Sequence, residues 1–113
     1  MPNFLRKLLK KRSQAYLVDE NDNYYPLHLP FPTKLGRSSE ADIKITGDLH
    51  VSRDHAVIIY KEEENRFFIR DLGSKHGTFI NGNRLEKGEE REIRDGDHIR
   101  LGKNTRFTFR ILY

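Results

Sequence analysis

The chain has 113 residues, with 21 Lys and Arg against 17 Asp and Glu and a sequence pI near 9.4. That length suits a single domain, and the absence of cysteine excludes both a disulfide framework and a thiolate metal site. No apolar run approaches the roughly 18 residues of a membrane span, and no continuous apolar stretch follows the basic N-terminus as a secretory signal would require. A reducing, cytoplasmic setting is the expectation.

The positive charge is unevenly placed. Residues 1–12 hold Arg6, Lys7, Lys10, Lys11 and Arg12 and no acid, which leaves 16 basic residues against 17 acidic ones in the rest. The excess therefore belongs to an N-terminal tail, and residues 13–113 read as a nearly neutral folded domain. Phe4, Leu5, Leu8 and Leu9 recur at helical spacing within the tail. A helix this short is marginal in isolation. It reads as a solubilising segment or a helix packed on its own domain, with contact to an anionic membrane surface or a partner as the sharper alternative.

From Ser13 onward the pattern becomes one of short strands and frequent turns. Tyr25, Leu27 and Leu29 alternate with Pro26 and His28, and Ile43 and Ile45 flank Lys44. Ala56, Val57, Ile58, Ile59 and Tyr60 form a continuous apolar run, the mark of a central strand buried on both faces. Residues 66–72 read as its neighbour across a charged hairpin at Glu62, Glu63, Glu64 and Asn65. Ile99 and Leu101 flank Arg100, and Phe107, Phe109 and Ile111 alternate cleanly with polar residues. Asn81-Gly82 reads as a two-residue hairpin turn. Further turn signals stand at 21–23, 46–48, 87–89, 95–97 and 102–104. No stretch after Arg12 carries a helical period. Many short strands with closely spaced turns indicate an all-β sandwich or barrel.

Three loops each set a cation beside a small hydroxyl or a glycine. They are Gly36-Arg37-Ser38-Ser39, Ser52-Arg53-Asp54-His55 and Gly73-Ser74-Lys75-His76-Gly77-Thr78. Arginine forks two donors onto phosphate oxygens, lysine adds a point charge, hydroxyls fix orientation, and glycine lets the backbone approach closely. This is an inventory suited to a phosphate dianion. No catalytic motif surrounds the serines or the five histidines, so the chain does not read as an enzyme. Asp95-Gly96-Asp97 is better explained as a turn than as a metal carboxylate pair, and no cofactor or metal site is expected.

Four motifs occur in order: Gly36-Arg37, Ser52-x-x-His55, Asp71-Leu-Gly-Ser-Lys-His-Gly-Thr-Phe-Ile-Asn-Gly82, and Asp95-Gly-Asp-His-Ile-Arg-Leu-Gly102. Together they resemble a forkhead-associated domain over about residues 14–113. The resemblance implies an eleven-strand β-sandwich that binds phosphothreonine in the loops at one end. Arg37 matches the family's phosphate-binding arginine and Ser52 its phosphate-bonding serine. Arg53 and Lys75 match positions that often add contacts. Ser74 lies in the third loop and is grouped with the site, more as a shaper of the loop than as a ligand. His76 stands where the family commonly has an asparagine contacting the peptide backbone. His55 is implied to brace the serine loop, and Gly36, Gly77 and Asn81 to hold the binding loops. Residue preference three positions after the phosphothreonine falls to neighbouring loops, where His50 and Lys103 favour an acidic residue. The implied partners are phosphothreonine-containing proteins, with a Ser/Thr kinase upstream and no nucleic acid. A phosphate-independent protein–protein scaffold on the same fold is the alternative function, with nucleic-acid or membrane-surface binding through residues 1–12 behind it.

Overall fold

The structure is a computed structural model and describes residues 14–112. The basic segment expected at residues 1–12, with its domain boundary, lies outside them. Eleven strands form two sheets. They are β1 (Gln14–Asp19), β2 (Tyr24–Pro26), β3 (Thr33–Gly36), β4 (Ile43–Lys44), β5 (Ala56–Lys61), β6 (Arg66–Asp71), β7 (Thr78–Ile80), β8 (Asn83–Arg84), β9 (Glu90–Ile93), β10 (His98–Leu101) and β11 (Thr105–Leu112). One sheet has six strands in the order β2-β1-β11-β10-β7-β8, the other five in the order β4-β3-β5-β6-β9. There is no helix among the described residues. The expected all-β sandwich is what the chain forms.

Period-2 patterning supplies the core. Ala15, Leu17, Ile80, Ile99, Leu101, Phe107 and Phe109 come from the six-stranded sheet, and Leu35, Ile43, Ile58, Phe67, Ile69 and Ile93 from the other. Phe109 and Phe67 meet edge to face across the two layers, with ring centroids 5.1 Å apart. A fully buried side chain of this kind contributes about 1.5–3 kcal/mol relative to an exposed one. β5 departs from expectation in its second half. Ala56, Val57 and Ile58 are buried, but Ile59, Tyr60 and Lys61 are only half-buried. The outer face of the strand emerges there, and Lys61 pairs with Glu90 at 2.9 Å.

Register fixes which loops share an end. Leu101 lies opposite Thr78 and Thr105, while Ile99 lies opposite Ile80 and Phe107. In the second sheet Leu35 lies opposite Ala56, and Ala56 opposite Asp71. The segment after Gly36, the 45–55 loop, the 72–77 loop and the 102–104 turn therefore gather at one end of the sandwich. The 62–65, 81–82 and 94–97 turns gather at the other.

Candidate functional site

The three cation-bearing loops are locked together by backbone bonds. The Arg37 N–H donates to the Ser52 carbonyl and the Ser38 N–H to the Arg53 carbonyl, both at 3.1 Å. This pairing needs a glycine at 36. A Cβ there would lie 2.0 Å from the Arg53 carbonyl oxygen, a backbone atom that cannot give way without breaking the pairing. Gly36→Ala is expected to cost ~3 kcal/mol as an overpacked contact, measured as a lowered midpoint in urea unfolding at unchanged slope.

Arg37 is half-buried, and its Nε donates to the Val51 carbonyl at 2.5 Å. One edge of the guanidinium is thereby held, while the two terminal nitrogens have no partner among the described residues. Ser52 Oγ accepts the N–H of Lys75 at 3.1 Å, which joins the second loop to the third and leaves the hydroxyl proton available. Arg53 and Lys75 are exposed and carry no ion pair among the described residues. The cations of the β5–β6–β9 face are different. Lys61 and Arg70 pair with Glu90, Arg66 and Arg94 with Glu92, and Arg91 with Glu89. Acids thus neutralise the outer face of that sheet, while the loop end keeps Arg37, Arg53 and Lys75 uncompensated. Cations that carry no ion pair, set near a hydroxyl proton on loops held by backbone bonds, are the donors an anion would use.

His55 braces this arrangement from beneath and is fully buried. Its Nδ1 accepts the Ser52 N–H at 3.0 Å, so Nε2 carries the proton and donates it to the Gly77 carbonyl at 2.8 Å. One imidazole therefore spans the second and third loops. Burial pushes it below the ordinary histidine value, against the pull of the Gly77 carbonyl and of Asp71 and Asp48. Gly77 has φ +90°, and its carbonyl also accepts the Gly102 N–H at 2.9 Å, which ties in the 102–104 turn.

The third loop is shaped by Asp71, a residue the sequence reading quoted in a motif but gave no role. Its carboxylate accepts the N–H groups of Gly73 and Ser74 at 2.9 and 2.8 Å and the hydroxyls of Ser74 and Thr78 at 2.5 and 2.6 Å. Burial opposes its ionisation, but the bonds from Ser74, Thr78 and Gly73 outweigh that and hold the carboxyl below its ordinary range. An Asp followed two residues later by Gly-Ser, the pattern of an Asx turn at a strand end, is the signal by which it could have been found. Ser74 is accordingly an internal residue. Its hydroxyl donates to Asp71 and accepts the Gly77 N–H at 2.9 Å, so the group counted with the binding residues is turned into the loop.

Asn81 also needs correcting. It lies at the far end of β7, where Asn81 and Gly82 form the expected turn with φ of 50° and 82°. Its side chain donates to Asp97 at 3.1 Å and accepts the His98 N–H at 2.9 Å. It staples the 81–82 turn to the 94–97 turn and does not touch the binding loops, because β7 runs the depth of the sandwich between them.

Both titrating groups make the fold acid-sensitive. The folded protein keeps His55 neutral, whereas the unfolded chain protonates it near its ordinary value of 6.5. The unfolded state then binds more protons below that pH, so stability is full above about pH 6.5 and falls as pH drops towards the lowered folded value. Asp71 acts further down. Its contribution is complete above its ordinary value of 3.8 and disappears as pH falls through the depressed one. Unfolding midpoints measured from pH 7.5 to 3 are expected to decline in these two stages, and His55→Gln to lose the first.

A groove of about 450 Å3 runs along the outer face of the six-stranded sheet, lined by Val18, Phe79, Arg100, Arg106 and Thr108 among others. It is remote from the three loops. A second cavity of about 320 Å3 lies at the third loop, lined by Asp71, Gly73, Ser74, Gly77, Arg84 and Leu85 among others.

The protein is thus an all-β sandwich of two sheets with interlocked loops at one end. The chain belongs to the FHA (forkhead-associated) domain family, whose model matches residues 33–102. Over 93 residues it is 38% identical to the sarcolemmal membrane-associated protein of Mus musculus, covering 71% of this chain and 11% of that protein. Over 68 residues it is 37% identical to nibrin of Danio rerio, covering 60% of this chain and 8% of that one. Among solved structures it is similar to EmbR of Mycobacterium tuberculosis in complex with a low-affinity phosphopeptide. There the TM-score is 0.78 at 32% identity, over 95% of this chain and 28% of that chain. It is also similar to the MEK1 FHA domain in complex with the HOP1 pThr318 peptide. There the TM-score is 0.72 at 27% identity, over 88% of this chain and 97% of that chain. The chain spans about a tenth of the length of the sarcolemmal protein. No helix among the described residues is long and apolar enough to cross a membrane.

Proposed function

We propose that this domain binds phosphothreonine-containing segments of partner proteins and performs no catalysis. The observation that carries the reading is the contrast in ion pairing. Among the described residues Arg37, Arg53 and Lys75, on the loops that meet at Ser52, form no ion pair with a carboxylate, while the basic residues of the β5–β6–β9 face are neutralised by glutamates. A phosphothreonine brings about −1.5 to −2 charges, and each charge-assisted hydrogen bond contributes roughly 1.5–3 kcal/mol. Three or four such bonds exceed the cost of ordering a flexible peptide by a modest margin. Affinity is expected near micromolar, about −8 kcal/mol. Binding of that strength is reversible and suits assembly controlled by a Ser/Thr kinase acting on the partner. Family membership supports the same reading, as do the two phosphopeptide complexes among the similar structures.

Pull-down with the purified domain before and after phosphatase treatment of the input, with bound phosphosites identified by mass spectrometry, tests it. Recovery of phosphothreonine sites that vanish on phosphatase treatment is the expected result. Recovery insensitive to phosphatase favours a phosphate-independent scaffold.

A further inference from the structure

At the same end of the sandwich stands a pair of histidines. His50, in the 45–55 loop, and His76, in the 72–77 loop, stand edge to face with ring centroids 5.0 Å apart and an interplanar angle of 82°. Both are half-buried at the loop end. The pair is held rigidly. The His50 N–H donates to Asp48 Oδ1 at 3.0 Å, and Thr105 Oγ1 donates to Asp48 Oδ2 at 2.7 Å, which anchors the loop to the start of β11. The 102–104 turn presses on the same loop, since a Cβ on Gly102 would lie 2.7 Å from the His50 carbonyl oxygen.

The charges facing the pair come from four segments. Asp48, on the 45–55 loop, lies 3.5 Å from His50 Nδ1 and is the one carboxylate among them. Lys75 follows from the 72–77 loop, Lys103 from the 102–104 turn and Arg84 from β8, whose guanidinium lies against Gly77. His55 lies beneath, neutral. Desolvation and then His50, Lys103, Lys75 and Arg84 all disfavour a proton on His76. An anion delivered to this cluster reverses the balance, because it meets several cations with a single internal counter-charge.

We propose that His50 and His76 form a proton-loading subsite: when an anionic group of the bound peptide, either a phosphate oxygen or a carboxylate flanking the phosphothreonine, settles against them, the pair takes up a proton. The domain then favours acidic phosphopeptides and holds them more tightly as pH falls through neutrality. The inference rests on the phosphothreonine reading and adds to it a partner chemistry and a pH dependence. Asparagine at position 76 supplies a hydrogen bond but no titratable group, so the property belongs to the histidine in this chain.

Calorimetry of the whole chain with two phosphothreonine peptides, one with neutral flanks and one with aspartates after the phosphothreonine, tests it between pH 6.5 and 8. Each titration is run in buffers of different ionisation heat. That range lies above the second phosphate ionisation near 6, and peptide phosphate losing its own proton on binding gives the opposite sign. Net uptake of about half a proton near pH 7 is expected, with affinity rising about threefold per unit fall in pH. The His76 ring signal, followed by NMR, is expected to titrate about one pH unit higher in the complex. His76→Asn removes the uptake. Uptake with both peptides assigns the anion to the phosphate, and uptake with the acidic peptide alone assigns it to the carboxylates. Binding of both peptides with no net uptake, or uptake undiminished in His76→Asn, overturns the proposal while leaving phosphothreonine recognition standing. A failure of both peptides to bind at any pH overturns the two together.

Discussion

Arg37→Ala is expected to reduce phosphothreonine-peptide affinity by about a hundredfold or more, a loss of ~3 kcal/mol or above, while the domain stays folded. The guanidinium is held by one nitrogen on the Val51 carbonyl and offers its remaining donors to the ligand. Alanine removes both the charge and the fork. The folded state loses the bond to Val51, at about 1 kcal/mol, which a domain of ordinary stability tolerates. Lysine at this position restores charge but not the two-pronged geometry, so Arg37→Lys recovers part of the affinity. Calorimetry read alongside urea unfolding separates lost binding from lost fold. Undiminished affinity in Arg37→Ala removes this residue from the site.

His55→Ala is expected to cost ~3–4 kcal/mol of stability and more than tenfold in phosphopeptide affinity, although the side chain is fully buried and touches no ligand. The variant leaves a cavity, strands the Ser52 N–H and leaves the Gly77 carbonyl with the Gly102 N–H alone of its two donors. Ser52 is then free to shift relative to Lys75, and the hydroxyl loses its fixed place. His55→Gln keeps part of the volume and one polar contact, and so falls between alanine and wild type in stability. If affinity in His55→Ala, measured where the variant remains folded, equals that of wild type, the imidazole carries stability alone.

The site was legible in the sequence to the extent that its chemistry is local. Arg37, Ser52, Arg53 and Lys75 stand in short motifs where a cation adjoins a hydroxyl or a glycine, and the structure gathers all four at one end. The strands that alternate cleanly, β10 and β11, were readable for the same reason: one face is core and the other is water. β9 was not readable. Its residues Glu90-Arg-Glu-Ile93 bury one side chain, and the strand is held by its ladder to β6 and by glutamates facing Lys61, Arg66 and Arg70. Cross-strand ion pairing leaves no periodic apolar trace. β7 and β8 are too short for a period to register, and β3 offers only one large apolar residue, Leu35.

Asn81 was assigned by its position within a motif, but position along the chain does not say where a side chain points; Ser74, read more as a shaper of its loop than as a ligand, bonds inside that loop. Asp71 claims the Ser74 hydroxyl, and three strand residues carry Asn81 to the opposite end of the sandwich. The basic pI behaves in the same way. It arises from residues 1–12, while what matters at the loop end is which cations lack an acid.

The central claim is tested most directly by titrating the isotope-labelled protein with a phosphothreonine peptide and, separately, with its dephosphorylated form, while recording amide and side-chain NMR shifts. The account predicts saturable shifts at Arg37, Ser52, Arg53 and Lys75 with the phosphorylated peptide. None is expected there with the other, and none at Asn81 with either. Shifts of equal size with both peptides, or shifts confined to the groove around Phe79 and Arg100, would contradict it.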